Sequence, residues 1–234
     1  MAGGTCVIGA GTSGLAVARA LQDAGEPFVV LERRPELGGL WNYESTAGER
    51  GPVADGAAPG VVGARPLYRD LLTNLPKDTM NFADFPFDEA VPEFPKTPRR
   101  FFLEYLQRFA AEHQLLPRCE FSTLVTRVAW DAAASAWAVT SCAASGGDER
   151  TRHFAHVAVA NGHHAQPIMP ELAGEDSFPG RVMHSCSFDS ADEFSGQRVL
   201  VVGGSVSAGQ IAELLHGSGL CAGVHLSTRK PTAE

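Results

Sequence analysis

The first 32 residues place a glycine-rich turn, Gly9-Ala10-Gly11-Thr12-Ser13-Gly14, between an apolar run and a helical run, and few folds accommodate that order. Residues 4–9 read as a short buried strand. Leu15, Ala18, Leu21 and Ala24 recur at helical spacing, predicting a helix over 12–25 with Gly25 as its C-cap. Residues 27–32 (Pro-Phe-Val-Val-Leu-Glu) are apolar and β-branched and read as a second strand. The result is a βαβ unit whose turn fits G-x-G-x-x-G. In that pattern Gly9 permits the tight turn, Gly11 lets a pyrophosphate approach the backbone, and Gly14 lets helix and strand pack closely. The helix start, with Thr12 and Ser13, offers N–H groups and a partial positive charge to phosphate.

Glu32 ends the second strand, 18 residues after Gly14. A carboxylate there accepts hydrogen bonds from ribose hydroxyls and repels a 2′-phosphate, so this site suits FAD or NAD rather than NADP. A second strand–turn–helix–strand unit begins at 198–203, continues with a helix over 207–216 and ends with a strand at 223–228. Its turn reads Gly203-Gly204-Ser205-Val206-Ser207-Ala208. Ser205 replaces the second glycine, where its hydroxyl can donate to a phosphate, and Ala at the third position is an accepted variant. Arg229 and Lys230 stand where the first unit has Glu32, and a cation there favours a 2′-phosphate. A solvated basic pair is the plainer reading of the same two residues.

Between the units, residues 45–64 are rich in Gly, Ala and Pro and predict an exposed loop. A helix is predicted over 97–114, with Thr97 as N-cap, Pro98 at its first position and Phe102, Leu103, Leu106, Phe109 and Ala110 on one face. Residues 123–130, 136–142 and 152–160 predict three strands. The expected class is α/β with two Rossmann-like dinucleotide-binding domains, the second incomplete. The boundaries are 1–165, a linker at 166–197, and 198–234.

Composition excludes little but does exclude something. Apolar residues are 44% and charged residues 20%, the balance of a globular domain. The net charge of -8 argues against a nucleic-acid partner. No apolar stretch approaches the roughly 20 residues of a membrane span, and no targeting peptide is expected at the N-terminus. Five cysteines, an odd number without C-x-x-C spacing, point to a reduced, cytoplasmic compartment. No metal-ligand spacing is present; His163 and His164 are adjacent, and on a strand they would face opposite ways.

Three further stretches narrow the choice: Gly38-Gly39-Leu40-Trp41, the run from Thr73-Asn74-Leu75-Pro76-Lys77 to Phe87, and Phe178 to Phe188, which fits F-x-G-x-x-x-H-x-x-x-[FY]. Together they resemble the flavin-containing monooxygenases from about residue 4 to residue 230. Val157–His163 is similar to that family's strand ending in A-T-G-H, with Asn161 at the Thr position.

The resemblance implies FAD in the first site and NADPH in the second. It implies an NADPH-dependent enzyme that uses dioxygen to oxygenate a nucleophilic nitrogen or sulfur compound, an amine or a thioether. It places Asn74 at the reaction centre with Thr73 beside it, and adds Arg33, Gly39, Leu40, Trp41 and Val125 to the cofactor contacts. His184 is expected to be a linker residue bonded to a backbone carbonyl rather than a base.

A pyridine-nucleotide reductase shares the two-nucleotide plan but usually needs a redox cysteine pair. A Baeyer–Villiger monooxygenase would prefer Trp where Phe188 stands, and a non-catalytic flavin-binding module remains a third reading. The second unit has two strands where a mononucleotide-binding half has three, so a truncated or degenerate form is expected. Such a form holds FAD without necessarily sustaining turnover. Its apolar edges are exposed where a C-terminal half or a second copy of the chain would pack.

Overall fold

The computed structural model describes residues 3–43, 67–95, 97–163 and 167–229. The predicted 45–64 loop, His164 and Lys230 lie outside them. The fold is mixed α/β. Strand β1 (Thr5–Ile8) leads through helix α1 (Thr12–Asp23) to β2 (Phe28–Leu31), the βαβ unit the sequence predicts. Gly25 follows the helix at φ +70° and closes it by donating to the Gln22 carbonyl. The short helix α2 (Lys77–Met80) and the helix α3 (Arg99–Glu112) follow, then β3 (Cys119–Glu120). The main sheet is parallel, in the order β3-β2-β1-β7, with β7 spanning His156–Val159.

An antiparallel meander, β4 (Thr123–Asp131), β5 (Ala136–Ala143) and β6 (Arg150–Phe154), is inserted between β3 and β7. The predicted strand over 152–160 is therefore two strands in two sheets. The break falls at Ala155 and His156, whose amides both donate to the Gly4 carbonyl as the chain leaves the meander for the edge of β1. A run of strand-forming residues carries no mark of such a change of partner.

Side-chain alternation buries the main sheet on both faces. Val7 and Val30 face α1 and α3, in a core with Leu15, Phe102, Leu106 and Phe109. Cys6 and Leu31 face the meander, against Val139 and Phe154. The aromatics of 82–87 pack on α3: Phe87 stacks on Tyr105 at 4.2 Å, and the Tyr105 hydroxyl accepts from the Phe82 amide and donates to the Phe85 carbonyl. α3 begins two residues later than predicted. Pro98 takes the cap position without a side-chain cap bond, and the Thr97 hydroxyl, one residue earlier, donates to the Pro92 carbonyl.

The second unit is smaller. β8 (Arg198–Val202) and β9 (Gly223–Ser227) pair in parallel, with helix α4 (Val206–Gly217) between them in sequence. Ile211 and Leu215 of α4 pack with Val199, Val201 and Val224, and with Tyr68, Phe188 and Phe194 from outside the unit. No helix among the described residues is long and apolar enough to cross a membrane. Among the described residues no disulfide joins any of the cysteines.

Candidate functional site

The first glycine turn is shaped by contacts that exclude side chains. Gly9 sits at φ +105°, and a Cβ on it would lie 2.5 Å from the Ala160 carbonyl oxygen. A Cβ on Gly14 would lie 1.8 Å from the Gly9 carbonyl oxygen. These two glycines set turn and helix in place, as the spacing predicts. α1 then starts at Thr12 without a side-chain cap and without an acidic residue in its first turn. A helix start left uncapped presents N–H donors to an anion.

Glu32 is buried at the tip of β2. Its carboxylate accepts from the Ala10 amide at 2.7 Å and from the Arg34 amide at 2.9 Å. The side chain expected to read a ribose thus also pins the glycine turn to the strand end. Two of a carboxylate's roughly four acceptor positions remain. Val125 lies on β4 against the Cys6–Leu31 cluster, beside that strand end. Arg33 is exposed. Its neighbour Arg34, which carries no motif of its own, donates to the carbonyls of Gly39 (3.0 Å) and Asn42 (2.6 Å).

Those two bonds fix a wall over the turn. Gly39–Trp41 forms one 3₁₀ turn. Gly38 donates to the Ala10 carbonyl, and a Cβ on Gly39 would lie 2.9 Å from the Gly11 Cα. Glycine at position 39, at φ +56°, allows the two backbones to meet so closely. Trp41 packs on Phe102 at 4.4 Å, while Leu40 is exposed. A flat ligand with a pyrophosphate fits this arrangement, because bare backbone and uncapped amides line the turn and a carboxylate closes it.

Thr73 and Asn74 lie on the loop before α2. Thr73 is buried, its amide donating to the Thr97 carbonyl and its hydroxyl to the Leu75 carbonyl. Asn74 is exposed, with no side-chain hydrogen bond among the described residues. The loop is held from below by the buried Lys77, which donates to the Val91 carbonyl and pairs with Glu93 at 2.7 Å.

The second turn follows the first in outline. Gly203 has φ +144°, and its amide donates to the Ser227 carbonyl. A Cβ on Gly203 would stand 3.2 Å from the Ala208 Cβ, so the methyl at the third position already fills this joint. Ser205 is extended at the N-cap of α4 without a side-chain cap bond, and Ser207 is exposed. A Cβ on Gly204 would stand 3.6 Å from the Thr228 Cβ, just past the end of β9, and Arg229 is exposed next to Thr228. This helix start too has no acidic residue in its first turn.

His184 has a different role from the one predicted. Its Nδ1 accepts from the Cys186 amide at 3.1 Å, so the ring caps the Ser185–Ser187 turn, and among the described residues it donates to no carbonyl. His163 lies beyond the end of β7 at Val159, not on a strand. Burial pushes the Cys6 and Cys119 thiols up to about 11, so both stay protonated at neutral pH.

The sequence profile described as FMO-like, flavin-binding monooxygenase-like, matches residues 3–233. The chain belongs to this family. It is 35% identical over 218 residues to trimethylamine monooxygenase of Methylocella silvestris, covering 88% of this chain and 46% of that protein. It is 35% identical over 237 residues to flavin-containing monooxygenase FMO GS-OX-like 2 of Arabidopsis thaliana, covering 97% and 50%. The solved S-allyl-L-cysteine S-oxygenase from Allium sativum superposes with a TM-score of 0.86 at 30% identity, covering 98% of this chain and 52% of that one. The chain spans about half the length of the curated relatives it matches.

Proposed function

We propose that this chain is the nucleotide-binding portion of an NADPH-dependent flavin monooxygenase that oxygenates a nitrogen or sulfur nucleophile. In this reading residues 1–165 and 198–234 are two Rossmann-like units joined by the 166–197 linker. The single observation that carries it is the first turn, where an uncapped helix start, glycine-bare backbone and the buried Glu32 converge under the Gly38–Tyr43 wall. FAD, when bound, supplies the redox and oxygen chemistry.

The chain's own residues bind and orient. Gly11, Thr12, Ser13 and Gly14 take the pyrophosphate, and the remaining acceptor positions of Glu32 take the ribose. Gly39, Leu40 and Trp41 cover the ring system and keep water from it. Gly203, Ser205, Ser207 and Ala208 form the equivalent cradle for NADPH. Arg229 favours its 2′-phosphate through a charge-assisted contact. Thr73 fixes the loop that presents Asn74, whose amide can both donate and accept near the reacting atoms. The names of the relatives, an amine monooxygenase and a sulfur oxygenase, support the substrate class.

The test is a titration of the purified protein with FAD, followed by flavin fluorescence, and then with NADP⁺ and NAD⁺. Saturable FAD uptake and tighter binding of NADP⁺ are expected. Arg229→Glu is expected to remove roughly tenfold of the NADP⁺ preference and to leave FAD uptake unchanged. A protein that stays colourless in excess FAD would sink the reading.

A further inference from the structure

The wall over the first turn has a second anchor, far from the first in sequence. At one end the wall is fixed by Gly39 on Gly11 and by Arg34. At the other end the Tyr43 hydroxyl donates to the Asp189 carboxylate at 2.5 Å, across 146 residues of sequence. That length lies in the range of a charge-assisted O–H···O⁻ bond. The Arg99 guanidinium lies 3.7 Å from the centroid of the same Tyr43 ring, within cation–π range. Arg99 Nε is in turn held by the carbonyls of Tyr68 and Arg69.

Asp189 is only 1% exposed. A carboxylate is tolerated there only with partners, since desolvation alone would expel it. Its own carbonyl accepts from the Arg69 amide. The residue before it, Phe188, ends the Phe178–Phe188 motif and packs edge-on against Tyr68 at 5.2 Å. Tyr68 reaches Gln210 of α4, and Gln210 donates to the Leu72 carbonyl just before Thr73. The wall, the linker, the Asn74 loop and the helix of the second unit therefore meet around one buried carboxylate.

We propose that Tyr43, Asp189 and Arg99 form a latch that positions the Gly38–Tyr43 wall, so that the linker sets how tightly the first unit holds its flavin. The three are positioning residues: Asp189 acts through Tyr43, and Tyr43 through the wall. This rests on the reading of the first turn as a flavin site. Neither glycine turn contains any of the three.

The experiment measures FAD affinity by flavin fluorescence, and apoprotein melting, for the unaltered chain and for Tyr43→Phe, Asp189→Asn, Asp189→Ala and the Tyr43→Phe/Asp189→Ala double variant. Tyr43→Phe removes one oxygen atom and keeps the ring under Arg99. It is expected to weaken FAD roughly tenfold while the apoprotein melts within a few degrees of the parent. Asp189→Asn keeps an acceptor for the phenol and is expected to weaken FAD less than Asp189→Ala. The double variant is expected to be no worse than its weaker-binding parent, because both changes break one bond.

Additive losses, or Tyr43→Phe holding FAD within roughly twofold of the parent, would overturn the latch. A lowered melting temperature with unchanged FAD affinity would also overturn it, since it would show a purely structural contact. If Asp189→Ala does not fold, the Tyr43→Phe comparison decides. Failure of the unaltered chain to take up FAD overturns the flavin reading and the latch together. FAD uptake that is indifferent to Tyr43→Phe overturns the latch alone.

Discussion

In the first unit the third position of the glycine turn is Gly14, and a Cβ there would run into the Gly9 carbonyl at 1.8 Å. In the second unit the same position is Ala208, whose methyl stands 3.2 Å from where a Cβ on Gly203 would be. The strand before the first turn is sealed: Cys6 and Val7 have no exposure, with helices on one face and the meander on the other. The strand before the second turn carries Leu200 at 62% and Val202 at 58% exposure on the face away from α4. One local plan thus serves two surroundings. Turn geometry follows from a few φ angles and small residues, whereas burial depends on what packs around the unit. The first turn admits no side chain at Gly9 or Gly14, whereas the second carries a methyl at Ala208 that fills its joint.

That contrast breaks most directly at Gly14. Gly14→Ala forces a methyl against backbone and is expected to cost roughly 3 kcal/mol or more, with loss of FAD uptake. Ala208→Gly opens space in a helix start and is expected to cost about 1 kcal/mol. Urea unfolding of both variants, followed by far-UV circular dichroism, measures the pair. Equal costs would mean that the two turns are packed alike and that the contrast is wrong.

Why some of this was readable and some not follows from the same contrast. The βαβ unit, the glycine turn and Glu32 are local: period-3.6 and apolar runs fix the elements, and G-x-G-x-x-G fixes the turn between them. The second turn carries the same marks, despite Ser205. Residues that act across the fold left no such mark. Nothing near Tyr43 announces a carboxylate at position 189, and nothing in 152–160 announces that the strand divides between two sheets. Arg33 and Arg34 are equivalent in sequence, and only the returning wall selects Arg34. Thr97 carries the signal of a helix cap, yet the helix starts one residue beyond it with Pro98 at the cap, and its hydroxyl donates back to the Pro92 carbonyl.

Burial of the two leading strands gives the next largest effect. Val7→Ala removes two methyl groups from a sealed core and is expected to cost about 2–3 kcal/mol. Val202→Thr changes an exposed face and is expected to stay within about 0.5 kcal/mol. Parallel sheets are as a rule covered on both faces, so Val202→Thr is also the direct probe of whether this face is bare in solution. A cost near that of Val7→Ala would show that something covers it.

The smallest effect separates the two regions by charge. Asp131, at the tip of the meander, is held below the ordinary carboxylate value of 3.8, first by the Ala134 amide and then by His153. Asp192, on the linker into the second unit, is also held below 3.8, first by the Arg69 guanidinium. Both folded values are depressed, so each interaction contributes fully above pH 3.8 and is lost as the pH falls below 3.8 through the folded value. Both groups face solvent, so the stability at stake is small. The sources differ, however, and that difference is measurable. Arg69→Met removes the largest cause at Asp192 and is expected to return its titration toward 3.8, with Asp131 unmoved. His153→Ala leaves the Ala134 and Ala133 amides in place, so Asp131 is expected to stay depressed. Carboxyl-carbon NMR titration of the two aspartates reads both outcomes. An Asp192 that stays low without Arg69 would show that the Ser190 hydroxyl, not the guanidinium, holds its carboxylate down.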